Sequence, residues 1–313
     1  MKEHAVFKKS TQYQIERILN VFDKISDNMI NIFLCGGASD KNQISYRDEL
    51  NQYFNSQIYS NVRIFYPEDL FVSLLNSDKS QNMLELENFL VANSDIVCIV
   101  AESVGSFVEL GAFVNSDKTR QKVVALVEEQ FKRAKSFLML GPIDLLTKED
   151  KSKVIYYTKL DVQKSASEII KFARKNTYKG KGLKINTIVG LAHYISLLLF
   201  FYNELNIEQL DKYVQFSLRK ENLDFKVKKD DILLRSALKL LFKEKKIIKD
   251  VNRYYYLSKK GLEDIRVLLG LEVNSVKRYY NAPRIYNNDV KLYDEIKFDI
   301  MRDKYYNNKT SSH

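Results

Sequence analysis

Residues 102–113 read ESVGSFVELGAF and follow the short apolar run DIVCIV, so two glutamates, two serines and two glycines stand within ten residues where a strand gives way to a helix. Ser106 and Glu109 have the spacing of a capping box, which would make the segment no more than a helix start. The same residues also permit chemistry. Gly105 lets a ligand approach the backbone, and a helix N-terminus offers N–H groups to phosphate or ribose oxygens. Glu109, in the first turn, would then direct a carboxylate into the crevice that the helix borders. Such a carboxylate can attack an anomeric carbon or stabilise an oxocarbenium ion, which is how glycosidic bonds are commonly cleaved.

Other candidates cluster at strand ends. Gly36 and Gly37 close the run INIFLCGG, and Glu68 and Asp69 lie in the turn of VRIFYPEDLF. Asp69 reads either as an acid or base or as a turn-forming residue. Glu102 reads either as a crevice residue or as a solvated carboxylate, and Arg47 either as a pyrophosphate ligand or as a solvent-facing side chain. Asp95 reads as structural, Cys35 as a small buried hydrophobe, and His193 as a core histidine. The three histidines and two cysteines show no metal-ligand spacing, so no metal is expected.

These residues need elements to hold them. Apolar runs at 30–35, 62–66 (broken at Pro67), 95–100, 122–129 and 154–160 alternate with helical segments, after a helical segment over 1–28 whose apolar spacing includes Tyr13, Ile15, Ile18, Leu19 and Phe22. Near-continuous apolar strands separated by helices predict an α/β fold, a Rossmann-like doubly wound parallel sheet buried on both faces. Ligands of such sheets sit at the carboxyl ends of the strands. The turns CGGASD, YPEDLF and AESVGSF all lie there, which predicts one crevice. Ser45 and Asp48 are spaced as a second capping box, for the helix SYRDELNQYF.

Past the polar, basic stretch TYKGKGLK at 177–184 the alternation stops. Three helical segments, over 188–205, 207–219 and 230–247, precede a strand, an Asn-containing turn, a strand and a helix, which is the parts list of a winged helix-turn-helix. The expected organisation is an N-terminal helical segment (1–28), an α/β domain (29–177), a winged-helix domain (185–275) and a basic, Tyr-rich tail (276–313). Residues 1–177 hold 23 Lys and Arg against 23 Asp and Glu, whereas residues 178–313 hold 27 against 17. The whole excess of +10 therefore lies in the C-terminal part, as expected of a part that meets a polyanion. Lys239, Lys243, Lys245, Lys246, Lys249, Arg253, Lys259 and Lys260 fall on the third helix and hairpin, where a winged helix contacts phosphates. Tyr254, Tyr255 and Tyr256 offer stacking surfaces, although strand alternation turns at least one of them to the core. No stretch reads as a signal peptide and none is long enough to span a bilayer, so a cytoplasmic address and no membrane association are expected.

The words NIFLCGG, YRDEL, IFYPEDLF, LELENFL and ESVGSFVELGAF, in that order over residues 30–145, resemble the nucleoside deoxyribosyltransferase-like effector proteins of retrons, one branch of which carries a C-terminal winged helix. The resemblance implies an anti-phage toxin that hydrolyses the nicotinamide–ribose bond of NAD. NAD is then a substrate, no cofactor is needed, and the toxin is held with a reverse transcriptase and its DNA–RNA hybrid (msDNA/msrRNA), as a homo-oligomer or within a higher assembly. It also implies that Glu109 is the catalytic glutamate, that Gly36 and Gly37 form the glycine turn, that Glu68 and Asp69 face the base or ribose, and that Gly105 and Ser106 face phosphate or ribose. Ala101 and Val104 stand where prolines are expected. A metabolic deoxyribosyltransferase or nucleotide hydrolase, and a nucleotide-sensing winged-helix regulator, remain the alternative readings.

Overall fold

The helical signal at the start of the chain is realised as α1 (Lys9–Ser26) in a computed structural model that describes residues 7–58, 61–67, 89–176, 183–221, 223, 227–271 and 287–310. The chain divides into two units. The first is described over 29–176. The second joins 7–28 to 183–271 and 287–310, so α1 clusters with the C-terminal part.

In the first unit, β1 (Ile30–Cys35), β2 (Val62–Phe65), β3 (Ile96–Val100), β4 (Val123–Glu128) and β5 (Val154–Tyr157) form one parallel sheet in the order β2-β1-β3-β4-β5. Its register sets Ile32 against Ile64 and Ile96, and Val97 against Val123. β1 and β3 are buried at every position, as their unbroken apolar composition requires. From β1 the chain runs through α2 (Tyr46–Tyr53) to β2 on one side, whereas β3 pairs with β1 on the other. The order therefore reverses at β1, and the segments that follow β1 and β3 flank the switch point. α3 (Val104–Asn115) buries Leu110, Phe113 and Val114 and exposes Val104, Phe107 and Val108. α4 (Asp117–Arg120), α5 (Asp144–Glu149) and α6 (Val162–Asn176) also belong to the unit, and α6 adds Ile169, Ile170 and Phe172 to a core that includes Ile32, Leu34 and Cys98.

In the second unit, α7 (Ile188–Tyr202) is apolar all round and almost wholly buried. Thr187 caps its start, and Asn203 (φ 67°) turns the chain at its end. The two-residue strand β6 (Glu204–Leu205) comes next, in a stretch expected to be helical. α8 (Ile207–Lys220) begins at an Asn206–Gln209 capping box and is followed by α9 (Val227–Lys243). β7 (Ile247–Lys249) and β8 (Tyr255–Leu257) form an antiparallel hairpin, and β6 pairs with β8 to give the order β6-β8-β7.

α10 (Lys259–Leu268) follows, and residues 287–310, expected to lie in the basic tail, form the helix α11 (Asn287–Thr310). Its Tyr293, Ile296 and Ile300 are buried, while Glu295 and Asp299 reach Arg17 of α1 at 2.8 and 2.9 Å. The side of this segment that meets Arg17 is therefore acidic, while Lys297 lies over the Phe200 ring and Lys304 donates to Tyr202 O. One further departure has a physical cause. Tyr13, counted on the apolar stripe of α1, is exposed and lies against Arg17, whose Cζ is 5.4 Å from the ring centre, whereas Gln14 is buried and takes a hydrogen bond from Tyr202. His193 is half-buried on α7. Most of the stretch 177–184, and the tail over 276–286, lie outside the described residues.

Candidate active site

The α3 start differs from the Ser106–Glu109 capping box that the sequence suggests. Ser103 is the N-cap: its Oγ accepts from Ser106 N at 3.2 Å, and Ser106 Oγ accepts in return from Ser103 N at 2.9 Å. Glu109 lies three residues beyond Ser106, in the second turn of α3 and not in the first, and is half-buried. The place that a capping box reserves for a glutamate is taken by Ser106, which is itself buried.

Glu102 is half-buried and hydrogen-bonded at the strand ends, which corrects its reading as a solvated carboxylate. Its Oε1 accepts from Gly37 N at 3.2 Å and Arg47 N at 3.1 Å, and its Oε2 accepts from Tyr46 N at 2.9 Å. The carboxylate thus joins the exit of β3 to the glycine turn and to the first turn of α2. Gly36 is required by space: a Cβ there would lie 2.9 Å from Arg47 Cβ and 3.0 Å from Glu102 Oε1. Around Gly105 there is room, with Ser103 Oγ the nearest atom at 4.0 Å, so this position stays open to an incoming group.

Arg47 is buried at 6% exposure, which corrects the solvent-facing reading. Its guanidinium donates to Gly36 O at 3.3 Å, lies over the Tyr66 ring at 4.3 Å and is 3.4 Å from Asp48. Asp48 does not complete its own capping box. Ser45 caps α2 by accepting from Asp48 N, but the Asp48 carboxylate accepts from Ser39 N and from Tyr66 OH, the latter at 2.6 Å. Burial pushes the Asp48 carboxyl up, yet these hydrogen bonds prevail and hold it below its ordinary range.

 Burial, together with the bond to Asp48, raises the Tyr66 hydroxyl. Tyr46 stacks on Tyr157 at the end of β5, with ring centres 3.8 Å apart, and burial pushes its hydroxyl up to about 12.

The three predicted turns therefore converge. The turn after β1 and the turn after β3 meet through Glu102, and the start of the turn after β2 is tied in through Tyr66, Asp48 and Arg47. Glu68 and Asp69 lie outside the described residues. Sequence reasoning missed Ser103, Asp48, Tyr66, and the pair Tyr46 and Tyr157. Ser103 was detectable as the first residue of a Ser-x-x-Ser pattern directly before the helix. Asp95 accepts two hydrogen bonds from Asn31 and is structural, and Cys35 and Cys98 are buried. Among the described residues no group of three or more His, Cys, Asp or Glu could hold a metal ion, and no helix is long and apolar enough to cross a membrane.

In the second unit, Lys239, Lys243, Lys245, Lys249, Arg253, Lys259 and Lys260 are exposed, and Arg235 extends the basic face of α9. Lys246 stands apart, because its ammonium is paired with Glu244 at 2.5 Å and Asp264 at 3.1 Å. Tyr255 is buried, and the hydroxyl of Tyr256 donates to Glu204 and Asp250, so these two rings belong to the hairpin's own packing.

An open parallel sheet with glycine and carboxylate turns at its switch point defines the first unit as a Rossmann-like α/β domain. The model of the STM3845 retron effector protein family matches residues 43–249, and the chain belongs to that family. It is 33% identical over 244 residues to the Escherichia coli protein named "Retron Ec86 putative ribosyltransferase/DNA-binding protein", covering 72% of this chain and 75% of that protein. Over 120 residues it is also 33% identical to the E. coli protein named "Retron Ec73 putative ribosyltransferase/DNA-binding protein", covering 38% of each.

Proposed function

We propose that this retron effector is an N-glycosidase that cleaves the nicotinamide–ribose bond of NAD, with Glu109 as its catalytic carboxylate. The observation that carries this reading is the Ser103–Ser106 cap. It starts, at the switch point, the helix that carries Glu109, and so fixes a half-buried carboxylate in the segment that leaves β3. In the proposed reaction Glu109 attacks the anomeric carbon, or stabilises the oxocarbenium ion, as the bond to the nicotinamide nitrogen breaks. Water then takes the ribosyl group. The relatives' names, which speak of ribosyl transfer, support the class of bond. They also raise a second reading, in which the ribosyl group passes to an acceptor other than water.

The second unit is read as a winged helix. The order α7, β6, α8, α9, β7, β8 with a three-stranded sheet supports this, with α9 as the recognition helix and residues 250–254 as the wing. Its basic face would hold the retron's DNA–RNA hybrid, in a cytoplasmic complex with the reverse transcriptase. The test is nicotinamide release from NAD by the purified chain and by Glu109→Gln. Release by the first and not the second supports the reading. If the chain leaves NAD intact but exchanges bases between nucleosides, the transferase reading replaces it.

A further inference from the structure

The Glu102 carboxylate is held by backbone N–H groups of two separate segments: Gly37 from the turn after β1, and Tyr46 and Arg47 from the first turn of α2. Its own N–H lies 3.2 Å from Ser106 Oγ, within the cap of the helix that carries Glu109. Gly36 wraps the carboxylate so closely that no side chain fits between them. Converging N–H groups from a glycine turn and a helix start, at the switch point of a parallel sheet, are the means by which such folds hold a phosphate. Here the negative group in that cradle belongs to the chain. Arg47, the nearby cation that could complete a phosphate site, is buried against Gly36 O, Asp48 and the Tyr66 ring.

We infer that Glu102 is a specificity-determining residue: its carboxylate fills the phosphate cradle of the crevice, so a substrate engages this part of the site through an uncharged group and carries its phosphates elsewhere. A phosphate is excluded twice, because the donors already serve Glu102 and because like charges repel at this distance. Which substrate is affected rests on the glycosidase reading above. The occupancy of the cradle does not.

The experiment is thermal unfolding of the full chain, Glu102→Gln and Glu102→Ala, with inorganic phosphate or with chloride at matched ionic strength. On the order of 50 mM phosphate leaves the wild-type melting temperature where chloride leaves it. Glu102→Ala melts roughly 5 °C or more below wild type, because three partly buried donors lose their acceptor. Phosphate then restores at least half of that loss, saturably, a gain that a merely structural carboxylate would not give. Glu102→Gln fills the space and gains far less. Equal stabilisation of wild type and Glu102→Ala by phosphate, or no stabilisation of Glu102→Ala, overturns the proposal. If Glu102→Ala does not fold, hydrogen exchange of wild-type residues 36–50 decides. Amides there that exchange equally with and without phosphate support it, and amides slowed by phosphate overturn it. Absence of NAD cleavage would sink the glycosidase reading and leave this result standing.

Discussion

Ser106 Oγ accepts the backbone N–H of Ser103 at 2.9 Å, so the helix that carries Glu109 is closed by two serines that bond each other. Two substitutions on one helix should therefore separate stability from chemistry. Ser103→Ala removes an N-cap and is expected to cost about 1 kcal/mol of stability. Glu109→Gln keeps the shape and leaves the cap intact, so its melting temperature should stay within about 2 °C of wild type. Its nicotinamide release should fall by roughly a thousandfold or more, as expected when a covalent or electrostatic partner of the transition state is lost. A Gln variant that unfolds early, or that keeps its activity, removes Glu109 from the mechanism.

The basic face of the second unit should divide by side-chain partner. Lys239→Ala and Arg253→Ala remove exposed charges. Each is expected to weaken binding to the retron's DNA–RNA hybrid with little regard to sequence, and to reduce the slope of log affinity against log salt by about 1. Lys246→Ala should behave differently, because Lys246 is held between Glu244 and Asp264. Its expected effect is a lower melting temperature with an unchanged salt slope. Fluorescence anisotropy across a salt series checks both. A Lys246 variant that alone flattens the slope would reverse the assignment.

Asp95 predicts a pH dependence of known sign. Burial raises its carboxyl above the ordinary value of 3.8, against the hydrogen bonds from Asn31 and the charge of Lys122. The folded state therefore holds this proton at pH values where the unfolded chain has released it. In that window the contribution of Asp95 to stability falls as pH rises, and below the window the penalty is gone. Asp95→Asn has an amide oxygen that can take both bonds from Asn31, since one carboxylate oxygen now accepts both. The variant should lose this segment of the pH dependence while staying at least as stable as wild type at neutral pH. Urea unfolding between about pH 4 and 7 measures it. A variant with a steeper rise in stability toward acid would contradict the account.

The sheet was legible in the sequence because each strand is an unbroken apolar run ended by a polar or glycine turn, as in INIFLCGG. The convergence of the turns followed from topology alone. The side-chain partnerships did not. Glu102 sits at a strand end, where solvated carboxylates are common, and its three donors are backbone groups that no residue pattern announces. Arg47 is buried because Gly36 and Tyr66, distant in the chain from one another, leave a slot for it. The strand β6 is only two residues long and carries no period, and the apolar signal of α7 runs directly into it. α11 was hidden for another reason. Polar and charged residues outnumber apolar ones along it, while Tyr293, Ile296 and Ile300, at helical spacing, are buried.

The docking of α11 on α1 gives the last prediction. Arg17 is largely buried and bonds two carboxylates that differ in setting: Glu295 is mostly exposed, while Asp299 is mostly covered and also receives Arg302 at 3.0 Å. An exposed pair is worth a few tenths of a kcal/mol, because water screens it and the long side chains lose freedom in forming it. A covered, charge-assisted bond is worth more, and removing one partner leaves the other charge poorly solvated. Glu295→Gln is therefore expected to cost less than about 0.5 kcal/mol, and Asp299→Asn about 1 to 2 kcal/mol. Arg17→Ala should cost at least as much as Asp299→Asn. In a double-mutant cycle the coupling of Arg17 to Asp299 should exceed its coupling to Glu295, and only the smaller term should vanish in about 0.5 M salt. Equal couplings would mean that burial does not set the strength of these two pairs.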